Sequence, residues 1–222
     1  MKLSKRLEAI ASCVDKGVIL ADIGSDHAYI PCALALRNQI KHAYACDVSQ
    51  GPLKHALDNI MYYEVDEIVE TRLCNGLTQL QDDVEEIIIA GMGFDTIQMI
   101  LEQSFEKLSN YRKIIVQSNT NVNELRKWIS DHHFHILDEK IVYETFYYQI
   151  ICFNCEYGET LSEEACEYGV MLDQDPLFPD YLRYRLKQVE EVLSHLPDHH
   201  VKKAVFMKRK NQIQTKLRQL SN

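Results

Sequence analysis

No stretch of this chain approaches the roughly 18 consecutive apolar residues of a membrane-crossing helix. The opening MKLSKRLEAI carries basic residues but lacks the apolar centre of a secretory signal, and it already has the spacing of an amphipathic helix. The seven cysteines are odd in number and mostly scattered, which argues for reduced thiols packed in a cytoplasmic protein. The single C-x-x-C, Cys152 and Cys155, falls inside a strand-like run, and no second pair completes a zinc site. His132, His133 and His135 crowd together, but in a helix-to-strand loop with no ordered ligand set, so no metal is expected.

Positive charge is also scarce, with 24 Lys and Arg against 33 Asp and Glu and a net charge of −9. That balance argues against nucleic acid, but the distribution does not. From Val201 onward there are seven Lys or Arg (Lys202, Lys203, Lys208, Arg209, Lys210, Lys216 and Arg218) and no acid. Such an asymmetry suggests an anionic partner, where the plainer reading is a solvated helix face. The remaining composition, 46% hydrophobic and 26% charged over 222 residues, suits one packed soluble domain or one domain plus an appendage.

The most informative absence is local. VILADIGSDHAYIP, residues 18–31, is an apolar strand, a glycine turn and the start of a helix, as at the first nucleotide-binding turn of a doubly wound sheet. Counted from Gly24, a dinucleotide fingerprint needs two further glycines, and Asp26 and Tyr29 stand in their places. An acid there repels a pyrophosphate and suits a ligand with positive charge and no phosphate. S-adenosylmethionine, with its sulfonium, ammonium and ribose hydroxyls, is such a ligand; the alternative is an ordinary core turn.

Leu3, Leu7 and Ile10 place a leading helix over 2–13, with Lys2, Lys5 and Arg6 outward. A strand over 18–23 precedes a helix from about Asp26 to Arg37. The strand at 42–47 ends in Asp47, 25 residues after Asp22, where nucleotide folds put the carboxylate that holds ribose hydroxyls. A helix from Gly51 to Tyr63 follows, then a strand at 68–73 and the Asn75-Gly76 turn. The run 85–90 reads as a buried strand entering Gly91-Met92-Gly93, before a helix over 95–108. A fifth strand, 113–117, leads to Ser118 and Asn119, and Asn121 with Glu124 makes a capping box for a helix to Asp131. Two adjacent β-rich runs, 134–143 and 145–153, then fit an antiparallel pair. Five strand–helix units closed by such a pair predict an α/β fold, a Rossmann-like seven-stranded class I methyltransferase domain over 1–157. Helices over 161–173, 177–196 and 199–220, broken at Pro197-Asp198, predict a C-terminal α-helical hairpin domain, coiled-coil-like, over 158–222. Its apolar stripes are Leu182, Leu186, Val189 and Leu193 on one helix and Val205, Ile213, Leu217 and Leu220 on the other.

LSKRLEAIAS (3–12), ADIGSDHAYIP (21–31), GPLKHA (51–56), IAGMG (89–93) and QSN (117–119) resemble the bacterial tRNA (adenine-22-N1)-methyltransferase family, over Leu3 to about Phe153 and more loosely in the tail. The resemblance implies an S-adenosylmethionine-dependent enzyme that methylates N1 of adenine 22 in tRNA and whose helical hairpin helps hold the tRNA. No DNA or membrane partner is expected, and a monomer is expected. Three departures stand out: Asn75 where the family commonly has an acid, Phe94 for a glycine, and Ser118 for a proline. Asn75 can still donate to adenine N1 and accept from its amine.

Under that resemblance the site follows the strand ends. Asp22, Gly24, Ser25 and His27 would receive the methionine part of the cofactor, with Asp22 or Asp26 accepting from its ammonium. Asp47 would take the ribose hydroxyls, Val48 would flank the adenine, and Asn75 and Gly76 would read its edge. Ala90, Gly91, Met92 and Gly93 would wall the methyl donor, and Asp26 or Asn119 would contact the target base. Each has a plainer reading: Asp22 and Asp26 as helix caps, Asn75-Gly76 as a turn, Gly91 and Gly93 as a tight bend, His27 as a helix-start histidine bonded to backbone. Tyr143 to Tyr148 reads as strand packing. Two other functions stay open: a methyltransferase for another RNA or small molecule, and a non-catalytic RNA-binding protein with a relic cofactor pocket.

Overall fold

The computed structural model describes residues 1–197 and 199–220. The apolar runs form the middle of a sheet covered on both faces. β1 (Ile19–Ile23), β2 (His42–Asp47), β3 (Val69–Leu73), β4 (Glu86–Met92) and β5 (Lys113–Ser118) pair in parallel. β6 (Phe134–Tyr143) and β7 (Tyr147–Tyr157) are antiparallel, and β7 joins them to β5. The seven-stranded order is β3-β2-β1-β4-β5-β7-β6. Its direction of winding reverses between β1 and β4, which opens the crevice that ligands use in such sheets.

Alternation along the strands divides the core in two. Leu20, Ile88, Ile115 and Ile150 face the side of α1 (Lys5–Ala11), α2 (Tyr29–Leu36) and α3 (Gln50–Tyr62). Ala21, Ile87, Ile89, Ile114 and Val116 face the side of α4 (Phe94–Gln103) and α5 (Val122–Asp131). Each fully buried isoleucine contributes roughly 1.5–3 kcal/mol. Burial on both faces is why these strands read as unbroken apolar runs.

Several local expectations are corrected. The helix expected from Asp26 begins at Tyr29, because Ala28 at its N-cap takes φ 51, and its start has no side-chain cap. Asp22 and Asp26 therefore cap nothing. Asn121 also sits in the left-handed region, at φ 50, and its side chain makes no cap bond, so the capping box does not form. The helix expected over 95–108 leaves α geometry at Ser104 (φ −129), and a 3-10 turn over Phe105–Asn110 buries Leu108. His132 and His133 form the turn between α5 and β6, as expected, and only His135 lies beyond it. His132 packs on Trp128 at 4.3 Å, His133 stacks on Tyr157 at 5.8 Å, and His135 belongs to β6.

The chain divides into two compact units, Met1–Val170 and Met171–Asn222. The first includes α6 (Glu163–Tyr168), six residues where the sequence predicts a helix over 161–173, and the second opens with a 3-10 turn at Leu172–Gln174. α6 is tied back by Arg126, whose Nη1 donates to the Cys166 carbonyl at 3.2 Å. In the second unit, α7 (Phe178–His195) and α8 (Lys203–Gln219) pack on one another with Leu182, Val189 and Ile213 buried. Val205, expected in that stripe, is 57% exposed. The neighbouring Phe206 is half-buried instead. α7 ends before Pro197, while Asp198 lies outside the described residues.

Candidate active site

The turn after β1 is built to bring backbone close to something else. Gly24 has φ 78, and a Cβ there would collide with the Met92 methyl. The N–H groups of Gly24 and Ser25 donate to the Cys46 carbonyl at 2.8 and 2.9 Å, which pins the turn to the end of β2. Asn59 Nδ2 donates to the His27 carbonyl at 2.9 Å and holds the far side of the loop. Beneath it, Asp22 is buried, and its Oδ2 accepts from Ser25 Oγ at 2.7 Å. Burial pushes the Asp22 carboxyl up to about 6, against the smaller opposing effect of the Ser25 hydrogen bond.

At the next two strand ends, Asp47 Oδ1 accepts from Ser49 N at 2.9 Å, and the Cys74 N–H donates to the Asp47 carbonyl at 2.9 Å. That bond sets Asn75 and Gly76 beside Asp47. Gly76 has φ 58 and packs on Ile100, while the Asn75 carbonyl accepts from Thr78 Oγ1 at 2.8 Å and its side chain stays exposed. Val48 is 64% exposed beside them.

Strand β4 does not stop at Ala90 as expected. It continues through Met92 across a bulge, with Gly91 at φ 78 and a register shift against β5 between Ala90 and Met92. Bulges of this kind redirect a strand end beside a site. Gly93 caps α4, and the Thr120 hydroxyl accepts from the Phe94 N–H at 3.2 Å. Asn119 lies across the bulge. Its N–H donates to the Met92 carbonyl and its Nδ2 to the Gly91 carbonyl, both at 2.7 Å. Phe94 and Ser118, two of the departures from the family pattern, are buried: Phe94 enters the core, and Ser118 Oγ donates to the Thr120 carbonyl.

Asp26 and His27 lie in the loop, not on α2. The His27 ring is not bonded to backbone; it stacks between Tyr29 and His55, at 4.9 and 5.2 Å. Asp26 oxygens lie 3.4 Å from both His27 Nε2 and His55 Nδ1. Among the described residues these three form the one group of three side chains whose ligand atoms could converge on a metal ion. His55 has no local signal in the sequence; it reaches the site because α3 packs beside the β1 turn.

A second residue escaped the sequence reading in the same way. Arg6, expected to face outward, turns in toward the end of β5. Its Nη1 donates to Gln117 Oε1 at 2.7 Å, and its guanidinium lies over the Tyr148 ring at 5.5 Å. Helical spacing alone could not reveal this, because the partners lie more than a hundred residues away, on strands that α1 covers.

The strand ends thus bring together a buried acid beneath a glycine turn packed on Met92, a second acid, an amide-bearing turn, and a bulge faced by Asn119. These acceptors and glycine approaches fit a ligand with an ammonium and a ribose diol and no phosphate. Comparison with known proteins agrees. A methyltransferase-domain family model matches residues 3–151. The tRNA (adenine(22)-N(1))-methyltransferase of Bacillus subtilis (strain 168) is 31% identical over 183 residues, 82% of this chain and 75% of that protein. Streptococcus pneumoniae Sp1610, solved in complex with S-adenosyl-L-methionine, superposes with a TM-score of 0.87 at 35% identity, over 97% of this chain and 100% of that one. M. capricolum TrmK, solved in complex with S-adenosyl-homocysteine, gives 0.84 at 32% identity over 98% and 99%. With motifs, strand order and site geometry in agreement along nearly the whole chain, this protein belongs to the tRNA (adenine(22)-N(1))-methyltransferase family.

Proposed function

We propose that this protein transfers a methyl group from S-adenosylmethionine to N1 of adenine 22 in tRNA. The observation that carries this reading is that neighbouring strand ends present both the buried Asp22, at the end of β1, and the Asn119 amide, clamped on Gly91 of β4. S-adenosylmethionine supplies the methyl group when bound. The Asp22 carboxylate accepts from its ammonium, Gly24 and Ser25 admit its methionine part, Asp47 takes the ribose diol, and Asn75 and Gly76 meet its adenine.

The protein's share of catalysis is alignment and water exclusion, which supply several kcal/mol when a lone pair is held in line with the methyl it attacks. The target ring gains positive charge as N1 is methylated. An acceptor aimed at its exocyclic amine therefore stabilises the transition state more than the ground state. Asn119 Oδ1 fills that role, and Asp26, held between two imidazoles, lines the approach. No covalent enzyme intermediate is needed.

Position 22 lies in the tRNA body with N1 on the pairing edge, so the base must leave its stack at a cost of a few kcal/mol. We infer that α8 offsets this cost by contacting phosphates, and that the chain works in the cytoplasm as a monomer on tRNA and not DNA. No helix of the described residues is long and apolar enough to cross a membrane.

The test is nucleoside mass spectrometry of unmodified tRNA incubated with protein and S-adenosylmethionine, beside the same tRNA carrying guanine at position 22. One 1-methyladenosine per tRNA is expected, and none in the control. Equal methylation of both would refute the assigned position.

A further inference from the structure

We propose that Arg6 is a positioning residue for methyl transfer: acting through Gln117, it sets the polarity of the Asn119 amide, so that Asn119 presents its carbonyl oxygen to the target base. This rests on the adenine-N1 reading above.

The relay has two unambiguous ends. A guanidinium can only donate, and a backbone carbonyl can only accept. Arg6 Nη1 donates to Gln117 Oε1 at 2.7 Å, Gln117 Nε2 to Asn119 Oδ1 at 3.0 Å, and Asn119 Nδ2 to the Gly91 carbonyl at 2.7 Å. Turning either amide round would set donor against donor or acceptor against acceptor. At Gln117, which is 0% exposed, the loss would be a charge-assisted bond with no solvent to replace it. Arg6 is itself held by the Tyr148 ring, and α1 is anchored by Ile10 in the core and by Lys5 N donating to Glu144 Oε1 at 3.0 Å.

The direction matters chemically. Asn119 Oδ1 keeps a second lone pair, which can accept from the exocyclic amine of adenine. In the reverse orientation an NH2 would oppose that amine, or would donate to N1 and occupy the lone pair that attacks the methyl. One cation, two residues removed from the base, thereby keeps the nucleophile free.

The deciding variant is Gln117→Glu. Its carboxylate still pairs with Arg6, so the fold is retained, but it cannot donate to Asn119. We expect kcat to fall about 10- to 100-fold with KM for tRNA and the cofactor Kd within about twofold. Arg6→Met should fall similarly, and Arg6→Lys, which still only donates, should recover most of the rate. The side-chain amide resonances of Gln117 and Asn119 report the relay by NMR without any substrate, and should shift together in Arg6→Met. A wild-type kcat in Gln117→Glu, or Asn119 resonances unmoved in Arg6→Met, would overturn the relay. An Arg6→Met variant with unchanged kcat, raised KM and a salt slope shallower by about one would instead make Arg6 a phosphate contact. Absence of 1-methyladenosine from the wild type would refute the function reading, while the NMR readout would still decide the relay.

Discussion

Asp22 is a carboxylate held where a carboxylate is costly. Its group titrates near 3.8 in an unfolded chain and near 6 in the fold, because burial disfavours the charge. Between those values the folded chain holds a proton that the unfolded chain has lost. The group's stabilising contribution is therefore complete below pH 3.8 and is gone once pH has risen past about 6. The full shift corresponds to roughly 3 kcal/mol. Asp22→Asn should thus raise the stability of the unliganded protein at pH 7.5 by about 1–2 kcal/mol in urea denaturation, with little change at pH 4. The same variant should bind S-adenosylmethionine at least about tenfold more weakly in calorimetry, since the ammonium loses a charged acceptor. Wild-type affinity should itself weaken as pH drops through 6. Unchanged affinity in Asp22→Asn would remove this residue from the cofactor site.

Among the elements, the outer antiparallel pair depends on a fully buried ion pair. Arg126 of α5 donates Nε to Glu139 of β6 and Nη2 to Gln149 of β7, and Nη1 reaches α6. Glu139 Oε2 also accepts from the Val170 N–H, so one cation organises four elements and the chain end of the first unit. Arg126→Met leaves Glu139 without the cation that faces it, and should cost about 3–5 kcal/mol in chemical denaturation. The double variant Arg126→Met with Glu139→Gln should recover part of that loss. Equal stabilities for the single variant and wild type would show that the pair contributes no net stability. None of this is visible in the sequence, because the partners of Arg126 lie on β6, β7 and α6.

Across the whole molecule, charge is segregated. The segment from Val201 carries +7 of a total of −9, so the preceding 200 residues carry −16. An acidic body with a basic helix would present the tRNA with one attractive surface. Lys208 is exposed, whereas Lys210 is half-buried and paired with Glu190 at 2.8 Å. Reversing the charge of Lys208, Arg209 and Lys210 should weaken tRNA binding and flatten its salt dependence, with Lys208→Glu alone doing more than Lys210→Glu. Filter binding across a salt titration measures both. Identical slopes would place the tRNA elsewhere on the protein.

Strand positions, sheet class and most of the strand-end residues were legible in the sequence. An apolar run buried on both faces has few alternatives, and ADIGSDHAY and AGMG carry their glycines where backbone must come close. What the sequence could not decide was every feature that depends on distant segments meeting. Arg6 and Gln117 are 111 positions apart, and α1 brings them together only once it covers the outer sheet. His55 joins Asp26 through the packing of α3, and Phe94 turns inward because the β4 bulge redirects the chain before α4. Local periodicity records which face of an element is apolar. Which polar group on that element meets which partner is settled only when the elements pack.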